Sequence, residues 1–226
     1  MSSFSLKIIA LISMLCDHIG LAFLNNNLFL KIIGRISFPI FAFQISEGYK
    51  YTKNINKYFL RLLCFAIISQ IPFMFFLNSI HHSILKLNIF FTLILGLFSI
   101  TFYETIKNKY NNKILSIIPV LFFVTLSQIL NCDYGWFGVT IIFLFHIFKE
   151  NKLMMNISIL IVIIMKYLIN YIQVPHIYQL YLMIGTASSL LFINLYNNKK
   201  GKNIKYLLYI FYPLHLIILA LIKLHL

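Results

Sequence analysis

About nine apolar stretches, separated by short polar ones, fill the 226 residues. Roughly 20 predominantly apolar residues span a bilayer as a helix. The pattern therefore predicts helices over about 5–24, 28–49, 58–78, 86–104, 114–130, 134–149, 153–172, 177–196 and 204–224. The fifth and sixth are short and meet at Asn131-Cys132-Asp133-Tyr134-Gly135, so they read either as two spans or as half-helices of a re-entrant pair. The count expected is nine, within a range of eight to ten. No internal repeat and no soluble segment interrupts the pattern. The expectation is an all-α, polytopic integral membrane bundle forming one transmembrane domain over residues 1–226.

Composition agrees. The chain is 61% hydrophobic and 11% charged, against about 25% charged in a soluble domain. The first stretch lacks a small-residue cleavage site and is followed by others like it, so it is not read as a cleavable signal peptide. The net charge of +14 comes from 19 Lys and Arg, dispersed between apolar segments and without any nucleic-acid-binding motif; nucleic acid is excluded as a partner on that ground. Instead the positive charge sorts into alternate loops: Lys50, Lys53, Lys57 and Arg61; then Lys107, Lys109 and Lys113; then Lys149 and Lys152; then Lys199, Lys200, Lys202 and Lys205. The positive-inside rule places those loops and the N-terminus in the cytoplasm of a multi-pass cell-membrane protein. Cys16, Cys64 and Cys132 are too scattered for a disulfide scaffold or a zinc site. Cys16 reads as an apolar filler before it reads as an acyl carrier.

Asp17 and His18 lie within the first apolar stretch and Arg35 within the second. A charge at the centre of hydrocarbon costs ~2.5–3.5 kcal/mol on insertion scales, and the chain has only five acidic residues. With a rise of 1.5 Å per residue, His18 falls ~20 Å from the cytoplasmic face and Arg35 at about the same level. Gln70, Asn88, Thr92, Tyr212 and His215 fall near the midplane or in the outer half, so five helices are expected to offer polar groups to one layer. Adjacent residues on a helix point ~100° apart. Asp17 is therefore expected to pair with Arg35, leaving His18 to face a cavity. Histidine exchanges a proton near neutral pH, which favours a functional site; the alternative is one buried structural network.

Other candidates carry two readings each. Glu47, followed by Lys50, Lys53, Lys57 and Arg61, is either an ordinary cytoplasmic loop with one ion pair or the entry point of a phosphate-bearing donor. No Gly-rich phosphate loop is present, which excludes an ATPase of that type. Asp133-Tyr134-Gly135 has turn chemistry. In Tyr212-Pro213-x-His215 the proline removes a helical hydrogen bond, either to present His215 inward or as a plain kink. His81, His82, His146, His176 and His225 read as peripheral or isolated, and no histidine pair has metal-site spacing. A proton-coupled secondary transporter is the rival class, since buried Asp, His and Arg also build proton relays. Against it stands the missing inverted repeat.

These residues follow one another in a recognisable order. Asp17-His18 with Gly20 is followed by Gly34-Arg35, leading through SFPIFAFQISEG to Thr52, then Tyr58 and Arg61. Next come Ser69-Gln70-x-Pro72-Phe73, Asn88-x-x-Phe91-Thr92-Leu93 with Gly96, Asp133-Tyr134-Gly135-x-x-Gly138, and Tyr212-Pro213-x-His215-Leu216. The set resembles the TraX family of polytopic membrane proteins, whose founding member acetylates the N-terminus of conjugative pilin. At the level of architecture it is also similar to the broader transmembrane acyltransferases.

The resemblance implies acyl transfer from acetyl-coenzyme A to an amine, such as a peptide N-terminus, or to a hydroxyl of an acceptor at the membrane. It gives His18 the part of general base and Asp17 that of holding Arg35. Arg35, Gln70 or Asn88 would stabilise an oxyanion, and His215 or Tyr212 would be a second proton-handling group. Thr92, Asp133 and Tyr134 would lie toward the substrate. Glu47, Lys50, Lys53, Lys57 and Arg61 would receive the coenzyme A nucleotide. The partners implied are acyl-coenzyme A, the acceptor and the lipid bilayer, with no metal.

Overall fold

The computed structural model describes residues 1–25, 27–80, 85–202 and 204–225. Among them the chain is helical throughout: α1 (Ser3–Phe23), α2 (Leu28–Gly34), α3 (Ser37–Tyr51), α4 (Ile55–Ser79), α5 (Ile89–Tyr110), α6 (Lys113–Ile129), α7 (Gly135–Ile147), α8 (Lys152–Gln173), α9 (Tyr178–Asn194) and α10 (Lys205–Leu224). No strand forms among the described residues. The one extended contact is an isolated parallel bridge between Leu87 and Cys132.

Two expectations change here. The expected second helix is two, broken at Arg35–Ile36, because Pro39 has no N–H for the carbonyl four residues back and its ring crowds that carbonyl. Proline is tolerated in the first turn of α3, where its N–H would have no partner in any case. The expected nine spans also become six by length and composition, counting Leu28–Tyr51 as one. Helices α6 and α9 have 17 residues and α7 has 13. At 1.5 Å per residue these reach only about 20–26 Å, against about 30 Å of hydrocarbon. The apolar stretches had included residues 130, 134 and 148–149, which leave the helical path.

The described residues fall into two compact units. The first comprises 1–41, 71–84 and 160–226. Within it α1 packs against α2 and α10, and α2 packs against α9. The first N–H groups of α1 are satisfied from outside the helix: Ser3 N donates to the Lys199 carbonyl (2.8 Å), Phe4 N to the Lys200 carbonyl (3.1 Å), and the Ser2 hydroxyl accepts from Ser5 N (3.2 Å). The N-terminus and the Lys199–Lys202 loop therefore share one end of this unit.

The second unit comprises 42–70 and 85–159 and is built around α5, α6 and α7. Its core joins Leu95, Phe123, Cys132 and Val139. Helix α6 shows how the sequence selects a membrane environment. Ser116, Val120, Phe123 and Ser127 recur at helical spacing and are buried, while Ile114, Ile117, Ile118, Leu121 and Phe122 face outward. Apolar residues outside and small or hydroxyl residues inside are the pattern of a helix in lipid. The buried hydroxyls return to their own helix: Ser127 Oγ donates to the Val124 carbonyl at 2.7 Å, and Ser99 Oγ on α5 to the Gly96 carbonyl at 2.7 Å.

At Gly96 α5 and α7 pack tightly, since a Cβ there would lie 2.4 Å from Ile142 Cδ1 and 3.0 Å from Ile142 Cβ. Gly96→Ala is expected to cost about 1–3 kcal/mol of stability through overpacking, read as a lower thermal unfolding midpoint in detergent. An unchanged midpoint would show that the two helices part freely.

Candidate functional site

In the first unit, Asp17 and His18 leave α1 toward different partners. Arg35, the C-cap of α2, donates from Nη2 to both Asp17 oxygens at 3.0 and 2.9 Å. Gly34 makes the contact sterically possible: a Cβ there would stand 2.3–2.6 Å from Asp17 Cβ, Cγ and Oδ1. The break before Pro39 thus sets an arginine at the end of a short helix, directly beside a carboxylate on α1.

His18 turns to α10. Its Nδ1 lies 2.8 Å from Nε2 of His215, and Nδ1 of His215 lies 2.6 Å from the Phe211 carbonyl. A carbonyl only accepts, so His215 Nδ1 carries the hydrogen. In the neutral ring, Nε2 of His215 is then an acceptor. Nδ1 of His18 must donate to it, and Nε2 is left as the proton-accepting nitrogen of His18. The tautomer of each ring is thereby fixed by a backbone carbonyl. Phe211 stacks on His215 (centroids 4.8 Å, 17° between planes), Phe76 meets His18 edge-on at 5.3 Å, and Tyr212 lies edge-on to His215 at 5.9 Å. His215 is only 5% exposed. Such a pair can take up a proton at His18 while His215 holds the ring's orientation.

The second unit holds Gln70, Asn88, Thr92, Asp133 and Tyr134. Asn88 is fully buried. Its Nδ2 donates to the Ala66 carbonyl (2.7 Å) and to Gln70 Oε1 (2.9 Å), and its Oδ1 caps α5 at Phe90 N (3.0 Å). Gln70 Nε2 donates to the Lys86 carbonyl at 2.8 Å. Lys86 Nζ in turn reaches Asp133 at 2.7 Å, and the Thr92 hydroxyl donates to the Asp133 carbonyl. Tyr134 occupies the left-handed region at φ 62, ψ −13, a conformation costing roughly 1–2 kcal/mol for a residue with a Cβ. Beside it Cys132 is buried; desolvation first, and the Asp133 charge next, push its thiol up to about 11. It stays a neutral, apolar filler.

The cationic segment is spread along the end of α3 and the start of α4. Lys50 approaches Glu150 (3.8 Å) and lies over the Tyr51 ring, and Arg61 lies over Tyr58. Lys53 and Lys57 sit between them in the chain, and Glu47 Oε2 is buried without a hydrogen-bond partner. Among the described residues, no group of three or more His, Cys, Asp or Glu is placed to hold a metal ion.

His146, expected to be peripheral or isolated, is neither. It is 3% exposed and its Nε2 lies 2.8 Å from Glu104 Oε1, with Lys107 on the same carboxylate at 3.3 Å and Tyr49 edge-on to the ring at 5.2 Å. The signal was present in the composition. With five acids in the chain, each one near an apolar helix calls for a cationic or hydrogen-bonding partner, and Glu104 had been given none. His176 accepts from Tyr178 N (3.0 Å) at the start of α9. His81 and His82 lie outside the described residues.

Comparison with known proteins gives a consistent picture. The family model described as "TraX protein" matches residues 2–223. A protein of Dichelobacter nodosus named "Probable fimbrial assembly protein FimC, serogroup H1" is 29% identical, over 100% of this chain and 97% of its own length. An uncharacterized protein of Rickettsia prowazekii (strain Madrid E) is 28% identical over 65% of this chain and 56% of its own. No solved structure matches.

Two substitutions separate architecture from chemistry. Gly34→Ala is expected to force Asp17 and Arg35 apart, at about 2–4 kcal/mol, seen as a large drop in unfolding midpoint. Asn88→Ala is expected to cost a similar ~2–4 kcal/mol, from the lost α5 cap and the lost hydrogen bonds to the Ala66 carbonyl and Gln70 Oε1. Near-native stability of the alanine variant would show that Asn88 is not a structural clamp.

Proposed function

Because the chain belongs to the TraX family, we propose that it is a membrane-bound acyltransferase that moves an acetyl group from acetyl-coenzyme A to an amine or hydroxyl at the membrane. The observation that carries this reading is the His18–His215 pair, whose tautomers leave Nε2 of His18 as a base. The acceptor we favour is the N-terminal amine of an exported peptide. The fimbrial-assembly name of the Dichelobacter nodosus relative supports it, as does the pilin-acetylating activity of the family's founding member.

In this mechanism the acceptor amine gives a proton to His18 Nε2 as its nitrogen attacks the thioester carbonyl. The imidazolium that forms keeps its Nδ1–H on His215, and the thiolate departs with the electron pair of the broken C–S bond. General-base catalysis of this kind contributes about 10²–10⁴-fold. Arg35, its charge held by Asp17, is the group offered to the developing oxyanion. One such donor is worth ~3–4 kcal/mol. Asn88 is a weaker choice for that part, because both of its amide hydrogens already go to Ala66 and Gln70. Lys50, Lys53, Lys57 and Arg61 would supply cations to the donor's phosphates, which arginine and lysine suit by charge and geometry. The shorter helices α6, α7 and α9 would complete nine crossings of the cell membrane, with the N-terminus and the Lys199–Lys202 loop at the cytoplasmic side. Their hydrogen-bonded juxtaposition supports placing both on one side.

The test is reconstituted protein given radiolabelled acetyl-coenzyme A and a membrane peptide. Wild-type chain is expected to label the peptide. His18→Gln should lower the rate at least a hundredfold, and His215→Phe should lower it by a smaller factor. Full labelling by His18→Gln at normal expression would remove His18 from the chemistry. Solute movement without acetyl-coenzyme A consumption would instead favour the transporter.

A further inference from the structure

The five acids of the chain are Asp17, Glu47, Glu104, Asp133 and Glu150. Only Asp17 falls in the first unit, and Arg35 is its partner. That unit nonetheless gathers cations at one end. The carbonyls of Lys199 and Lys200 accept from Ser3 N and Phe4 N at 2.8 and 3.1 Å. Gly201 is pressed against the same turn, since a Cβ there would lie 2.8 Å from both Phe4 Cβ and Ser2 Oγ. Lys7 stands one helical turn beyond Ser3 and Phe4, on the face that continues from them. Lys199, Lys200 and Lys202 are exposed and Lys7 is half-buried. Backbone hydrogen bonds thus keep these lysines at one end, with no carboxylate of the unit left to balance them. Such a concentration of one sign of charge draws an anionic ligand.

This cationic end and the histidine pair are fixed to one another by two helices. Helices α1 and α10 pack together and are tied at two levels. The contacts of Ser3 and Phe4 with the 199–201 loop set one, and the His18–His215 contact sets the other. At 1.5 Å per residue Lys7 lies ~16 Å along α1 from His18, and the start of α10 lies ~15 Å from His215. The extended pantetheine arm of an acyl-coenzyme A covers ~15 Å from its diphosphate to its sulfur, at ~3.4 Å per three chain bonds. A thioester held at His18 therefore puts the diphosphate at the level of Lys7 and the Lys199–Lys202 loop.

We propose that Lys7, Lys199, Lys200 and Lys202 bind the diphosphate of the acyl-coenzyme A donor, one arm's length from His18. The proposal rests on the acyl-transfer reading, and it names anchoring residues for the donor in the unit that holds His18. The spacing of the two levels favours this occupant over an anionic lipid, because a headgroup needs no match to the depth of the histidine pair.

The experiment uses the full chain in nanodiscs of neutral lipid, with free coenzyme A as the binding probe. Lys7→Gln combined with Lys200→Gln should weaken coenzyme A binding about tenfold, as the loss of two part-exposed ion pairs. Lys7→Arg with Lys200→Arg keeps both charges and should restore binding. In turnover, kcat/KM for acetyl-coenzyme A relative to that for acetyl-pantetheine, which lacks the diphosphate, should fall by the same factor. Wild-type coenzyme A affinity in the glutamine variant, or an unchanged ratio, would overturn the proposal. So would a glutamine variant that loses only its stabilisation by phosphatidylglycerol while coenzyme A binding stays intact, since the occupant is then a lipid headgroup. Coenzyme A held through these lysines by a chain that transfers no acetyl group would count against the functional reading alone. A wild-type chain that binds no coenzyme A would overturn both.

Discussion

A carboxylate at membrane depth has to be neutralised by something within reach, and in this protein Asp17 meets that demand with a single arginine nitrogen. The surrounding geometry follows from that ion pair. Arg35 must end a helix to reach Asp17, so the second apolar stretch breaks there, with Pro39 supplying the missing N–H that makes the break inexpensive. Gly34 must lack a side chain, because the space a Cβ would take is already filled by Asp17. With Asp17 occupied by Arg35, the neighbouring His18, ~100° around the helix, is left to α10. One electrostatic requirement thus settles a helix break, a glycine and the partner of a histidine.

The same requirement runs through the second unit. Asp133 is met by Lys86 and Glu104 by Lys107 and His146; Glu47 is the exception, its Oε2 buried without a hydrogen-bond partner. The amides behave alike: Asn88 donates to the Ala66 carbonyl within α4, and Gln70 donates to the Lys86 carbonyl just ahead of α5. In lipid such satisfaction is a condition of folding rather than an ornament, since no water is available to replace a missing partner. Polar residues at depth therefore divide into those consumed by architecture and those whose bonding pattern leaves chemistry to do. Asn88 belongs to the first kind, and the imidazole of His18 is a candidate for the second.

Much of this was legible in the chain. The apolar stretches located nearly every helix. The adjacency of Asp17 and His18 was enough to separate their partners, because neighbours on a helix cannot face the same way. Other features were not legible, for physical reasons. Hydropathy measures composition and not path, so the apolar stretches read for α7 and α9 took in residues that lie outside those helices. The break at Arg35 was hidden because Pro39 reads equally as a first-turn or an interior residue until the position of Asp17 is known. Periodicity tells which face of a helix is buried but not against what. His146 was passed over for that reason.

The use of two imidazoles in place of a carboxylate and an imidazole has its own logic at this depth. A second buried carboxylate beside His18 would need its own cation or would raise the cost of burial by several kcal/mol. His215 is uncharged when it accepts from His18, so the resting pair brings no net charge into hydrocarbon. When His18 takes a proton, the new charge is shared along a short hydrogen bond to a ring already polarised by the Phe211 carbonyl. On the proposed acyl transfer, charge would arise only during turnover, where stabilising it lowers the barrier, and not in the resting state, where it would lower stability. The neighbouring Asp17–Arg35 ion pair is internally balanced. On that proposal the unit sets an internally balanced ion pair beside a base that becomes cationic only in use.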